Sequence, residues 1–153
     1  MHIRRATAAD ISAILSLEQQ AATAAHWQAE QYQMALSAET PARLMLLAED
    51  ESGVLGFVVG REAGGELEIE NLAVTPAVQR RGLATSLLKE LRRLAGRGAR
   101  QSAFLEVRES NLAARRLYEK NLFVESGRRP HYYRDPEEDA IVYRLATAPL
   151  PHE

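Results

Sequence analysis

The chain has no cysteine, which excludes disulfides, zinc–thiolate centres and a thiol nucleophile together. Lysine is nearly absent: Lys89 and Lys120 are the only two, and the remaining cations are arginines. No apolar run approaches the roughly 18 residues of a membrane helix. The polar start Met1-His2-Ile3-Arg4-Arg5 does not have the form of a signal peptide. A net charge of −2 over 153 residues gives no global pull toward nucleic acid or membrane. The four histidines, His2, His26, His131 and His152, show no metal-ligand spacing. Repeats, linkers and low-complexity stretches are also missing. What these absences leave is one cytoplasmic domain over residues 1–148, large enough to bury its own core, with 149–153 as a frayed tail.

The apolar pattern orders the elements. Residues 2–6 predict an edge strand, with Thr7 as the N-cap of a helix running to about residue 22. A loop around His26-Trp27 leads to a second helix over roughly 28–37. Strands at 44–49 and 54–62 flank the turn Asp50-Glu51-Ser52-Gly53, and Gly64-Gly65 turns into a strand at 66–74. A helix over 80–96 carries Leu83, Leu87, Leu88, Leu91 and Leu94 on one face. A strand at 103–107, a helix at 111–120 and strands at 122–129 and 139–145 complete the order. Hairpins first and strand–helix–strand units second imply a mixed α/β fold. Its sheet has six to seven mainly antiparallel strands with helices on both faces, and strand 66–74 lies beside 103–107 through a crossover helix.

The most informative stretch is Val74-Thr75-Pro76-Ala77-Val78-Gln79-Arg80-Arg81-Gly82-Leu83-Ala84-Thr85. It joins an apolar strand to an amphipathic helix, and a helix N-terminus with unpaired N–H groups is a seat for anions. Three phosphate-binding readings compete with a plain strand-to-helix connection. A P-loop needs Gly-Lys-Ser/Thr, and no lysine is present here. A dinucleotide fingerprint needs three spaced glycines, and only Gly82 is available. The third pattern is Gln/Arg-x-x-Gly-x-Gly/Ala, met by Gln79-Arg80-Arg81-Gly82-Leu83-Ala84.

On that motif the chain resembles the Gcn5-related N-acetyltransferase superfamily. A second block, Leu105-Glu106-Val107-Arg108-Glu109-Ser110-Asn111 with Ala114, Leu117, Tyr118 and Phe123, is similar to its ribosomal-protein-alanine N-acetyltransferase (RimI-type) branch. So is the closing segment Arg128-Arg129-Pro130-His131-Tyr132-Tyr133 with Glu138-Asp139-Ala140. The resemblance runs from about Leu67 to Leu145 and is weak over residues 1–65. It implies acetyl-CoA as cosubstrate, without a metal. The pyrophosphate would lie on backbone N–H groups of Gly82, Leu83, Ala84 and Thr85, with Arg80 and Arg81 nearby. The pantetheine arm would run along Leu72, Ala73 and Val74 and reach Asn111. Glu106 is implied as general base and Tyr118 as the acid that meets the departing thiolate.

The residues themselves agree in part. Glu106 stands in an apolar strand, where a partly desolvated carboxylate is a better base at neutral pH. A place on the solvated face of an edge strand is the alternative. Glu70 is the reserve base and a substrate-side residue, although the alternation Glu66, Glu68, Glu70 also marks a solvated face. Asn111 suits an N-cap as well as a ligand contact, and Tyr118 suits a core position.

Tyr132 and Tyr133 are the expected clamp on an acceptor backbone, with Trp27 as an opposite wall or a core residue. The expected acceptor is a protein or peptide N-terminus, foremost a ribosomal protein's N-terminal alanine. An α-amine at pKa about 7.7–8.0 is easier to deprotonate than lysine near 10.4. A small-molecule amine acetyltransferase and a non-catalytic acyl-CoA-binding module are the competing readings. The enzyme is expected to act as a monomer or weak dimer, without direct contact to nucleic acid or membrane. Where the branch has Leu-Gly-Phe, this chain has Asn121-Leu122-Phe123. Asparagine tolerates left-handed backbone and leucine does not, so Asn121 is expected to take the left-handed position that ends the helix.

Overall fold

The computed structural model describes residues 1–21, 25–37, 43–78, 81–95 and 102–145. Four strands open the fold around two helices: β1 (His2–Arg5), α1 (Ile11–Gln20), α2 (Ala29–Ala35), β2 (Arg43–Asp50), β3 (Gly53–Ala63) and β4 (Glu66–Val74). Then follow α3 (Leu83–Leu94), β5 (Ala103–Arg108), α4 (Leu112–Lys120), β6 (Phe123–Tyr133) and β7 (Glu138–Leu145). The strands form one sheet in the order β1-β2-β3-β4-β5-β7-β6, and every pairing is antiparallel except β4 with β5. This is the expected mixed α/β sheet at seven strands. The tail expected at 149–153 lies outside the described residues.

Strand alternation divides the core into two layers. Met45, Leu47, Phe57 and Val59 face α1 and α2, where they meet Ile14, Leu17 and Tyr32. Leu46, Val58, Leu72 and Val74 face the other side and meet Leu83, Leu87, Leu88 and Leu91 of α3. The leucine face of α3 comes so close to β3 that a Cβ on Gly60 would lie 2.7 Å from Leu91. On the first layer, Arg4 joins β1 to the start of α1 through Asp10 (2.9 Å) and to β2 through Glu49 (2.8 Å).

The end of α4 differs from the sequence expectation. Asn121 keeps φ −95°, and Leu122 is the residue with positive φ, at 72°. Asn121 is occupied elsewhere: its Nδ2 donates to the Leu117 carbonyl at 2.9 Å, and its Oδ1 accepts from the Thr85 hydroxyl at 2.6 Å. Those bonds tie α4 to the first turn of α3 and hold Asn121 in place, so the left-handed step falls on an exposed leucine. A leucine there costs about 1–2 kcal/mol, less the entropy a glycine would lose on folding. Leu122→Gly is expected to stabilise the protein by about 0.5–1 kcal/mol, on the order of 2 °C in Tm. A fall in Tm would refute the strain.

Candidate active site

The site begins where two parallel strands separate. β4 and β5 pair only through Leu67 with Ala103 and Glu68 with Phe104. On its other side β4 carries one surplus residue: Val59 of β3 faces Asn71 and Gly60 faces Ile69, leaving Glu70 as a bulge. An extra residue bends and twists its strand, and here β4 parts from β5. The bulge also reverses the side-chain alternation. Leu67 and Ile69 before it, and Leu72 and Val74 after it, all face the α3 layer. Asn71 is thereby turned toward α1 and α2.

The resulting cleft holds about 340 Å³. Ile69, Glu70 and Asn71 line it from β4. Glu106, Val107 and Arg108 line it from β5, Ser110 and Asn111 from the segment that leads into α4, and Tyr118 from α4 itself. Ala25, His26 and Tyr133 close it.

Glu106 points into the cleft because Leu105 and Val107 on either side of it are buried in the α3 layer. Its side chain is 15% exposed, and its Oε1 lies 2.8 Å from Arg129 Nε. The same carboxylate stands near the Tyr132 phenol and raises it above its ordinary range. The sequence predicts a partly desolvated carboxylate; the structure adds a cation from β6 paired with it. Arg129 is 58% exposed and also lies 5.8 Å from the Tyr132 ring centroid. An exposed guanidinium is displaced at small cost, so an incoming ammonium can take its place on Glu106.

Tyr118 and Asn111 share the cleft with Glu106. Burial pushes the Tyr118 phenol well above its ordinary range, so its proton stays on oxygen. Asn111 caps α4, its Oδ1 accepting from Ala114 N at 3.1 Å, which leaves its amide N–H groups on offer. Tyr133 is pushed up to about 12, first by burial and then by the nearby Glu106 charge. It is packed under Arg108, whose guanidinium carbon lies 4.5 Å from its ring centroid. Tyr132 meets Tyr133 edge to face at 5.1 Å.

At the start of α3, Gly82 takes φ +77° and ψ 11°, and open space surrounds the position a Cβ would occupy. Arg81 is exposed, while Arg80 lies outside the described residues. Leu83 is 5% exposed and belongs to the core, so only its backbone can meet a ligand. The Thr85 hydroxyl is committed to Asn121, which likewise leaves its backbone N–H. Leu72, Ala73 and Val74 lie on the part of β4 beyond its pairing with β5.

Glu70 faces the cleft, held bidentately by Arg43 at 2.8 and 2.9 Å. Trp27 does not line the cleft. Its ring packs on Tyr32 at 5.2 Å and under Arg43 at 5.9 Å, against the α1–α2 layer. The site roles the sequence did not assign are those of Arg129, Arg43, Asn71 and His26. Each enters through a partner distant in sequence or through the bulge, and a break in alternation at Asn71-Leu72 was the one local sign.

Comparison with known proteins shows the family and the fold. The model of the Acetyltransferase (GNAT) family matches residues 9–122. The ribosomal protein bS18-alanine N-acetyltransferase of Salmonella typhimurium is 40% identical over 105 residues, covering 67% of this chain and 69% of its own. The enzyme of the same name from Haemophilus ducreyi is 34% identical over 106 residues, covering 67% and 72%. Among solved structures, the ribosomal-protein-S18-alanine N-acetyltransferase of Escherichia coli superposes with a TM-score of 0.76 at 28% identity, covering 98% of this chain and 96% of that one. The chain belongs to the GNAT family of acetyltransferases.

Proposed function

We propose that this N-acetyltransferase moves an acetyl group from acetyl-CoA to the α-amine of a protein N-terminus, and that the acceptor is the N-terminal alanine of ribosomal protein bS18. The observation that carries the reading is the convergence of Glu106, Asn111 and Tyr118 on the cleft that opens where β4 leaves β5. The names of the relatives support the acceptor. A domain spanning residues 1–148 and a cytoplasmic location, where ribosomes are assembled, belong to the same proposal, with a monomer or weak dimer as the working form.

Acetyl-CoA supplies an activated acyl group as its thioester. The residues fit it on two observations: the left-handed Gly82 with open space over it, and the widening beside β4. Backbone N–H groups of Gly82, Leu83, Ala84 and Thr85 face the pyrophosphate, with Arg80 and Arg81 as flanking cations. Leu72, Ala73 and Val74 align the amide arm, and Asn111 donates to it. The cleft volume is too small for the whole cosubstrate, so only its reactive end and the acceptor's first residue meet there.

Glu106 receives the acceptor's ammonium in place of Arg129 and takes one proton from it, which passes to solvent. The neutral amine then adds to the thioester carbonyl. As the C–S bond breaks, the nitrogen loses its second proton to Glu106, while the thiolate that leaves is protonated from solvent. A backbone N–H from the end of β4 faces the acyl oxygen, where negative charge grows. Tyr118 donates a hydrogen bond to the departing sulfur. Its raised phenol stands far above an ordinary thiol at about 8.5, so proton transfer to sulfur is uphill and the hydrogen bond is the larger contribution. Glu70, Tyr132 and Tyr133 border the acceptor, and Trp27 supports Glu70 through Arg43.

A panel of peptides varied at the first residue, with N-terminally blocked lysine peptides and small amines as controls, tests the reading. Peptides beginning with alanine, including the bS18 N-terminus, are expected to lead in kcat/KM by tenfold or more, about 1.4 kcal/mol. Faster transfer to the lysine controls or to a small amine would overturn it.

A further inference from the structure

Beside the cleft lies a buried carboxylate that the chemistry above does not use. Glu18 of α1 is 3% exposed. No cation among the described residues pairs with it. Instead its Oε1 accepts from three donors: Trp27 N at 2.6 Å, the Tyr32 hydroxyl at 2.7 Å and Asn71 Nδ2 at 3.2 Å. Asn71 Nδ2 also lies 2.9 Å from the Tyr32 oxygen. Its Oδ1 accepts from Ala25 N at 2.9 Å. Three buried side chains, from α1, α2 and β4, therefore hold two backbone N–H groups of one loop.

Those two groups flank His26, whose φ is +59°. Positive φ is uncommon outside glycine, and histidine is among the residues that adopt it more readily; here both neighbours are tied to buried oxygens. Ala25 and His26 are also walls of the cleft that contains Glu106. Burial and the Glu18 contact raise the Tyr32 phenol far above its ordinary range, so it acts as a donor throughout the working pH range. A buried polar set is tolerated when each member is paired, and it then specifies one geometry.

We propose that Glu18, Tyr32 and Asn71 are positioning residues that fix Ala25 and His26 as the wall selecting the acceptor's first side chain. The inference rests on the α-amine reading of the same site. Under that reading the reacting nitrogen is at Glu106, and the first side chain branches from the carbon next to that nitrogen. It must lie inside the cleft, and the position of the wall sets how large it can be.

Tyr32→Phe tests this with little disturbance, because the ring keeps its contacts with Trp27 at 5.2 Å and Phe57 at 5.8 Å. Wild type, Tyr32→Phe, Glu18→Gln and Glu18→Ala are compared on the first-residue peptide panel, together with acetyl-CoA binding. The expected result for Tyr32→Phe and Glu18→Ala is a rise of about tenfold in peptide KM, with kcat and acetyl-CoA Kd within about twofold of wild type. Preference for a small over a large first residue should collapse in both. Glu18→Gln, whose amide oxygen still accepts, should stay nearer to wild type. A purely structural role would lower Tm without changing peptide preference.

Retained preference in Tyr32→Phe and Glu18→Ala overturns the proposal, as does an equal rise in acetyl-CoA Kd. Hydrogen exchange on wild type is independent of any variant: unprotected amides at Ala25 and Trp27 would also overturn it. If wild type acetylates no α-amine at all, the functional reading itself fails and takes this inference with it. Selective acetylation by wild type with unchanged selectivity in the variants leaves the reading standing and removes only the inference.

Discussion

Replacing Glu106 with glutamine is expected to lower kcat by about 10²–10⁴-fold while leaving acetyl-CoA affinity within about twofold. Glutamine has the same shape and its amide oxygen can still face Arg129, which pairs with the wild-type carboxylate. The substitution therefore removes the proton-accepting function and little else. The fall corresponds to about 2.7–5.4 kcal/mol of barrier, at 1.36 kcal/mol per tenfold. The residual rate should climb with pH toward about 8, because the variant depends on acceptor amine that is already neutral. Steady-state rates against pH, with acetyl-CoA binding measured separately, provide the check. A kcat within threefold of wild type would remove Glu106 as the base, and Glu70 would be the next carboxylate to test. Glu70 starts at a disadvantage, since Arg43 holds both of its oxygens.

The proposed donor half of this site can be read from the sequence because it is built from neighbours along the chain. The change from strand to helix period around Gly82, and the burial of Leu105 and Val107 on either side of Glu106, are local patterns. Both report directly on which way a side chain points. The acceptor half is built from long-range pairs. Glu18 meets Asn71 across 53 positions, Arg43 meets Glu70 across 27, and Arg129 reaches Glu106 from a strand two places along the sheet. Periodicity carries no information about such meetings. Glu66, Glu68 and Glu70 illustrate the limit. Their alternation reads as one solvated face, and the first two are paired with Arg144 and Arg61 at the surface. The bulge separates the third from them and turns it to the cleft. Asn121 and Leu122 show the same limit at a helix end. Intrinsic preference favoured asparagine for the left-handed step, and a tertiary bond to Thr85 decided otherwise.

Gly82→Val should weaken acetyl-CoA binding by roughly 10–100-fold, with a stability loss of only about 1–2 kcal/mol. The position has φ +77°, where a β-branched residue is a strong outlier. Apart from its chain neighbours, no atom of the described residues lies within 4 Å of the place its Cβ would take, so the cost at the Cβ is conformational. Relief comes by rotating the peptide that aims the first N–H groups of α3. A hydrogen bond from such a group to a charged oxygen is worth about 1.5–3 kcal/mol, and losing one accounts for the expected range at 1.4 kcal/mol per tenfold. Leu122 provides the internal control. It too is a non-helical, left-handed residue at a helix end, yet it follows the C-terminus of α4 and is no part of the turn proposed to hold the phosphates. Leu122→Gly should therefore change Tm and leave acetyl-CoA Kd alone, whereas Gly82→Val should change both. Calorimetric titration of acetyl-CoA into the two variants separates the cases. An unchanged Kd in Gly82→Val would mean that the turn only connects β4 to α3, and that the phosphates are held elsewhere.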